Sequence, residues 1–219
     1  DNYDVQSPNE LEISKEKCLE ALKKISKEEL EALKFARSRI QEFSEHQKTK
    51  PWNYTSKGIT LGEKITAIDK VGLYVPGGSA AYPSSVLMNS IPAKVAGVKE
   101  ITMVFPSPKG KVNNMVLAAA YLGGVDRIFR IGGAHAVAAL AFGTDTIPKV
   151  NMIVGPGSQY VAEAKKELYG EVGIDSFAGP SEILVIADSS ANEEWIALDL
   201  FSQAEHDELA QSILISPDE

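Results

Sequence analysis

Cysteine is almost absent: Cys18 is the single one among 219 residues, and one thiol cannot close an internal disulfide. It sits in a Lys/Glu-rich helical stretch as a packing or surface residue, in keeping with a reducing compartment. Positive charge is also short. Lys and Arg number 22 against 30 Asp and Glu, for a net charge of -8, and the basic residues are scattered. Such a chain has no electrostatic footprint for nucleic acid or an anionic membrane. No apolar run approaches the ~18 residues of a transmembrane helix, and the N-terminus has neither the basic nor the apolar region of a signal peptide. A cytoplasmic protein is expected. Also missing are a G-x-G-x-x-G fingerprint, low-complexity tracts, and a close carboxylate pair suited to acid/base work. Asp1 opens the chain where an initiator Met would stand, and Pro217-Asp218-Glu219 closes it directly after an apparent strand, so a longer parent protein is expected.

What is present is a 44% hydrophobic chain, enough for a sizeable core in one large domain or two small ones. Leu19, Leu22 and Ile25 are spaced for a first helix. Ser26-Lys27-Glu28-Glu29 reads as a capping box opening a second, continued by Leu30, Leu33, Ala36 and Ile40. A hairpin centred on Gly62-Glu63 is expected across 58–69, after a polar turn "TKPWNYTSKG". Short β-rich runs then alternate with helical segments: strands at 72–75, 101–105, 127–131, 152–154 and near 173–176, with helices from Ser84, Asn113, Ala134 and Ser158. A final β-α-β unit has strands at 183–187 and 212–216 around a helix from about Asn192. This order predicts an α/β fold of open parallel sheets wrapped by helices, Rossmann-like but without the fingerprint, behind an N-terminal helical segment. Turns near Gly72 and Gly179-Pro180 divide it into an inserted Rossmann-like cofactor-binding domain, 72–179, and a discontinuous α/β domain of 1–71 with 180–219.

Three glycine-rich turns follow strands: Gly77-Gly78, Gly132-Gly133 and Gly155-Pro156-Gly157. At the carboxyl edge of a parallel sheet, glycines let backbone approach a ligand and helix N-termini favour anions, yet tight β-to-α turns need glycine anyway. On the last helix Ile196, Asp199, Leu200, Gln203 and His206 fall on one side, so two polar groups extend an apolar stripe. A Q-x-x-H at that spacing is a solvated helix end, a hydrogen-bonded pair, or two zinc ligands that would need a carboxylate from elsewhere. His46 reads as a solvated face residue. His135 opens a helix beside Gly132-Gly133, as a ligand contact or a helix-start hydrogen bond. Glu193-Glu194 are accounted for by the helix dipole.

The segments "VGLYVPGGSAAYPSSVLMNSIPAKVAGV", "IGGAHAVAALAFGTDTIPKV", "VGPGSQYVAEAKKELYGEVGID", "AGPSEILVIAD" and "DLFSQAEHD" together resemble the histidinol dehydrogenase family from about Gly72 to Ile215, with a looser likeness in the N-terminal helices. The resemblance implies an NAD-dependent, zinc-containing oxidoreductase of histidine biosynthesis that takes L-histidinol through the aldehyde to L-histidine, acting as a homodimer. Gln203 and His206 then correspond to zinc ligands that also meet the substrate, Ser181 to a substrate contact, and Tyr74, His135 and Ser158 to NAD contacts. The family usually has glutamine and asparagine at the positions of His135 and Ser158. Its acid/base Glu-His pair and remaining Asp and His zinc ligands have no counterpart before Glu219, so the chain alone is expected to be inactive. Two other readings stay open: a paralogue oxidising another small polar alcohol, and a non-catalytic nucleotide-binding module.

Overall fold

The structure, a computed structural model, describes residues 10–77, 81–177, 179, 181–205 and 209–217. Ser14 starts helix α1 (Lys15–Lys24) by accepting the Lys17 amide. The capping box then opens α2 (Lys27–His46): the Glu29 amide donates to the Ser26 hydroxyl at 3.1 Å and the Ser26 amide to Glu29 Oε2 at 2.7 Å. Ahead of α1, a short strand β1 (Glu12–Ile13) that the pattern did not announce adds antiparallel to a sheet edge.

The hairpin lies earlier than the pattern suggested. Its strands are β2 (Trp52–Ser56) and β3 (Ile59–Glu63), so the segment read as a polar turn is itself extended. Lys57 and Gly58 both have positive φ, 50° and 80°, the primed-turn geometry that matches strand twist. Cross-strand pairing puts Trp52, Tyr54, Ile59 and Leu61 on one exposed face. Thr55 and Thr60 share a 2.9 Å hydrogen bond on the other.

The main sheet is built from β4 (Lys70–Tyr74), β5 (Glu100–Val104), β6 (Arg127–Phe129), β7 (Met152–Val154) and β8 (Gly173–Ile174). Its order is β1-β6-β5-β4-β7-β8, all parallel except β1. Helices α3 (Pro83–Ala96), α4 (Asn114–Leu122), α5 (Gly133–Phe142) and α6 (Gln159–Glu167) make the crossovers. The chain winds from β4 outward to β6, then resumes at β7 on the other side of β4. That reversal between β4 and β7 is where open α/β sheets bind ligands.

Period-two alternation divides the sheet between two cores. Leu73, Val75, Ile101, Met103, Phe105 and Ile128 belong to one, with residues of α3 and α4 and with Cys18, Ala21 and Leu33 of the N-terminal helices. Tyr74, Val104, Phe129 and Ile153 belong to the other, with Ala136, Val137 and Leu140 of α5 and Val161 of α6. Both faces are covered, which is why these strands read as nearly continuous apolar runs. Gly72 is the exception: a Cβ there would stand 2.9 Å from Leu140 Cδ1, so the missing side chain lets α5 approach the sheet. Cys18 is buried, and that burial raises its thiol pKa to about 11.

The chain divides into two compact units, 1–177 and 178–219. In the second, β9 (Glu182–Ile186) and β10 (Gln211–Ile215) pair in parallel, with α7 (Glu193–Ala204) between them in sequence. Ile183 and Val185 are half-buried while Leu184 and Ile186 are exposed. Along α7, Trp195, Leu198 and Phe201 are exposed as well. No described helix is long and apolar enough to cross a membrane.

Candidate cofactor and metal sites

Because β4 to β7 run parallel, the turns that leave them meet at one edge. The structure shows what the glycines do there. A Cβ on Gly77 would lie 2.6 Å from the Pro106 carbonyl oxygen, and one on Gly132 would lie 2.6 Å from Pro106 Cβ. On Gly155, at φ +108°, it would lie 2.1 Å from the Tyr74 carbonyl oxygen. Turn packs directly on turn, so glycine is demanded by the protein's own packing at these three positions. Gly78 lies outside the described residues.

Tyr74 ends β4 with its ring in the second core, and its hydroxyl oxygen accepts the amide of Gly133 at 2.9 Å. That bond ties the exit of β4 to the first turn of α5. His135, two residues on, is exposed. Its imidazole lies over Gly133, where a Cβ would meet Cε1 at 3.4 Å and Nδ1 at 3.5 Å. Tyr74 and His135, far apart in sequence, are thus gathered at one helix start. Ser158 is the N-cap of α6 and exposed; its side chain makes no capping bond. All three expected cofactor contacts therefore occupy the carboxyl edge, two of them on helices whose first amides favour an anionic group. These features suit a dinucleotide pyrophosphate. Beside them, a cleft of about 440 Å³ lies between the β4 and β5 exits, floored by Phe105, Pro106 and Val116 and rimmed by Lys109 and Lys111.

One pair of residues at this edge was missed from the sequence. Lys165 of α6, only 4% exposed, donates from Nζ to the Gly155 carbonyl at 2.6 Å and to Asp175 Oδ1 at 2.7 Å. Asp175 Oδ2 accepts the Gly155 amide at 2.8 Å, and Oδ1 accepts the Ser176 amide at 2.8 Å. Burial works to raise the Asp175 carboxyl, but the Lys165 ammonium and the two amides outweigh it and hold the pKa below the ordinary value of 3.8. The sequence signal was there: Lys165 stands four residues after buried Val161, on an apolar helical stripe.

In the second unit Ser181 immediately precedes β9, exposed, and its carbonyl accepts the Gln211 amide at 3.1 Å where β10 begins. Ile196, Leu200 and Gln203 are half-buried, whereas Asp199, grouped with them in the sequence reading, is exposed. Gln203 thus extends the packed stripe, a position from which an amide oxygen can serve a metal held at the helix end. His206 lies outside the described residues, and among the described residues no group of three or more His, Cys, Asp or Glu side chains gathers to hold a metal ion. A glutamine and one histidine are too few for a firm zinc site without carboxylate or imidazole from elsewhere.

Comparison with known proteins reaches every residue. The profile of the family "Histidinol dehydrogenase" matches 1–219. The histidinol dehydrogenase of Nitrosomonas europaea is 60% identical over the whole of this chain and 51% of its own length, and that of Methylococcus capsulatus is 58% identical over the whole chain and 50% of its own. The crystal structure of the histidinol dehydrogenase from Elizabethkingia anophelis superposes with a TM-score of 0.90 at 41% identity, covering 98% of this chain and 50% of that one. The chain spans about half the length of the curated relatives it matches. With the parallel α/β sheet, its reversal at β4 and β7, and this full-length match in view, the chain belongs to the histidinol dehydrogenase family.

Proposed function

We propose that this chain supplies the cofactor-binding unit, and part of the metal and substrate site, of a cytoplasmic, homodimeric enzyme that oxidises L-histidinol to L-histidine. The observation that carries the reading is the family match across all 219 residues. NAD, when bound, accepts hydride, and zinc, when bound, orients the substrate through its nitrogens. The chain's own residues do the positioning. Tyr74 and His135 offer a phenol and an imidazole at the start of α5, where the Tyr74 hydroxyl already holds the Gly133 amide, Ser158 offers a hydroxyl at the start of α6, and the first amides of α6 favour the pyrophosphate. Gln203 and His206 hold the metal, with Ser181 contacting the substrate. The acid/base Glu-His pair and the other two metal ligands belong to the half of the family's length that this chain does not span.

We further propose that 1–71 and 180–219 form one discontinuous domain once that remaining half is present, with 72–179 inserted in it and with β1, α1 and α2 of the first segment also packed on the core of the main sheet. Support comes from the apolar side chains left exposed in both segments, Trp52 and Leu61 in one and Ile186 and Trp195 in the other, which such a domain would cover.

Expression of the longer protein followed by NADH absorbance tests the function. Histidinol should be turned over, and Gln203→Ala and His206→Ala should each lower zinc content and turnover together while the fold persists. Unchanged zinc stoichiometry in both variants would remove the metal assignment. His135 and Ser158 favour one rival, a paralogue acting on another small polar alcohol, because imidazole and hydroxyl differ in reach from the family's usual amides. Faster turnover of such an alcohol than of histidinol would establish it.

A further inference from the structure

We infer that the ion pair between buried Lys165 and the more exposed Asp175 is a positioning device for the cofactor turn, fixing the backbone of Gly155 and through it the placement of Ser158 and the α6 N-terminus. The inference rests on the proposal that this edge binds NAD. Its ground is an unusual convergence: one ion pair holds both polar groups of a single residue. Lys165 Nζ takes the Gly155 carbonyl at 2.6 Å, while Asp175 Oδ2 takes the Gly155 amide at 2.8 Å. The peptide planes on either side of Gly155 are therefore both tethered.

Gly155 needs such tethering. Its φ of +108° lies in a region open to glycine, and its α-carbon is pressed against the Tyr74 carbonyl with no room for a Cβ. Glycine is also the residue with most backbone freedom to lose. Left to itself, Gly155-Pro156-Gly157 could carry Ser158 to many positions. Clamped, it has one, set against the strand end that bears Tyr74. Stability alone does not call for charge here, since an ion pair with a solvent-accessible partner adds little to it. The specific product of this pair is orientation. The Ser176 amide donates to the same carboxylate and holds it from the other side.

The test separates positioning from stability. Asp175→Asn keeps the side chain's shape but weakens its bond to the Gly155 amide. The double variant Lys165→Met/Asp175→Leu removes both charges, with Met filling the buried place of Lys165 and Leu standing at the more exposed position of Asp175. NAD is titrated calorimetrically into the 219-residue chain and both variants, and urea midpoints are measured in parallel. The double variant should stay folded with a midpoint lowered by the unpaired Gly155 amide and carbonyl, and the folded form should bind NAD roughly 10- to 100-fold more weakly, the scale of a misplaced contact. Asp175→Asn should fall between, and it carries the test if the double variant does not fold. A folded variant with unchanged NAD affinity would overturn the positioning role while leaving the cofactor site in place. Failure of the unchanged chain to bind NAD would instead overturn the cofactor reading, and this inference with it.

Discussion

Gly155 and Gly170 have nearly the same backbone angle, φ +108° and +105°, but different surroundings: Gly155 faces the Tyr74 carbonyl at 2.1 Å from a would-be Cβ, and Gly170 has nothing within 4 Å. Gly170→Ala should cost only the conformational penalty of a left-handed L-residue, about 1–2 kcal/mol. Gly155→Ala should cost that plus a further ~1–3 kcal/mol of overpacking. Urea denaturation of the two variants measures the difference, and equal losses would mean that the β4 and β7 turns separate freely. Asp175 makes a second expectation at this scale. A carboxyl whose folded pKa lies below its unfolded value stabilises fully above the unfolded value, and the contribution disappears as pH falls through the folded one. The stability gap between the unchanged chain and Asp175→Asn should therefore be widest near neutral pH and close as pH drops below 3.8. A gap that persists undiminished in strong acid would show that the carboxylate is not held by Lys165 and the amides.

Among the elements, α2 shows how local chemistry places a helix. Both capping-box hydrogen bonds are formed, so Ser26→Ala leaves the Glu29 amide without its partner and should cost ~1 kcal/mol. Thermal unfolding of that variant checks it, and no change would mean that tertiary packing alone holds the α2 start. The hairpin and α7 show the opposite case, elements whose apolar faces have no cover within their own unit. Trp52 and Tyr54 stack with ring centroids 6.2 Å apart on an exposed face, and α7 buries no residue fully. Such faces are ordinarily covered by further chain or a partner.

For the whole molecule, the expected consequence is that the 219-residue chain does not oxidise histidinol. Positioned acid/base groups alone contribute roughly 100- to 10,000-fold, and the proposed reading places the family's pair outside these residues. The doubly covered sheet of the first unit should still fold and bind NAD weakly. Following NADH absorbance with zinc, histidinol and NAD, beside the longer protein, decides it: comparable turnover would place the catalytic residues within this chain.

Much of this was legible in the sequence, because strand and helix periodicity, caps and glycine turns are local signals. The capping box at Ser26 is formed as read, the strands of the main sheet and of the second unit fall within about two residues of their expected positions, a usual margin, and the family motifs named the candidate site residues. The hairpin was misplaced because its strands are amphipathic and short, and the positive φ of Lys57 and Gly58 is invisible in composition. What only the tertiary structure decided were relations between distant residues: that the Tyr74 hydroxyl meets the Gly133 amide, that Gly77 and Gly132 pack against Pro106 and Gly155 against the Tyr74 carbonyl, and that Lys165 finds Asp175. A sequence pattern specifies which face of an element is buried, but not which group will stand opposite; that depends on how the sheet orders its strands, and the order β6-β5-β4-β7 brings ends together that lie some eighty residues apart in the chain.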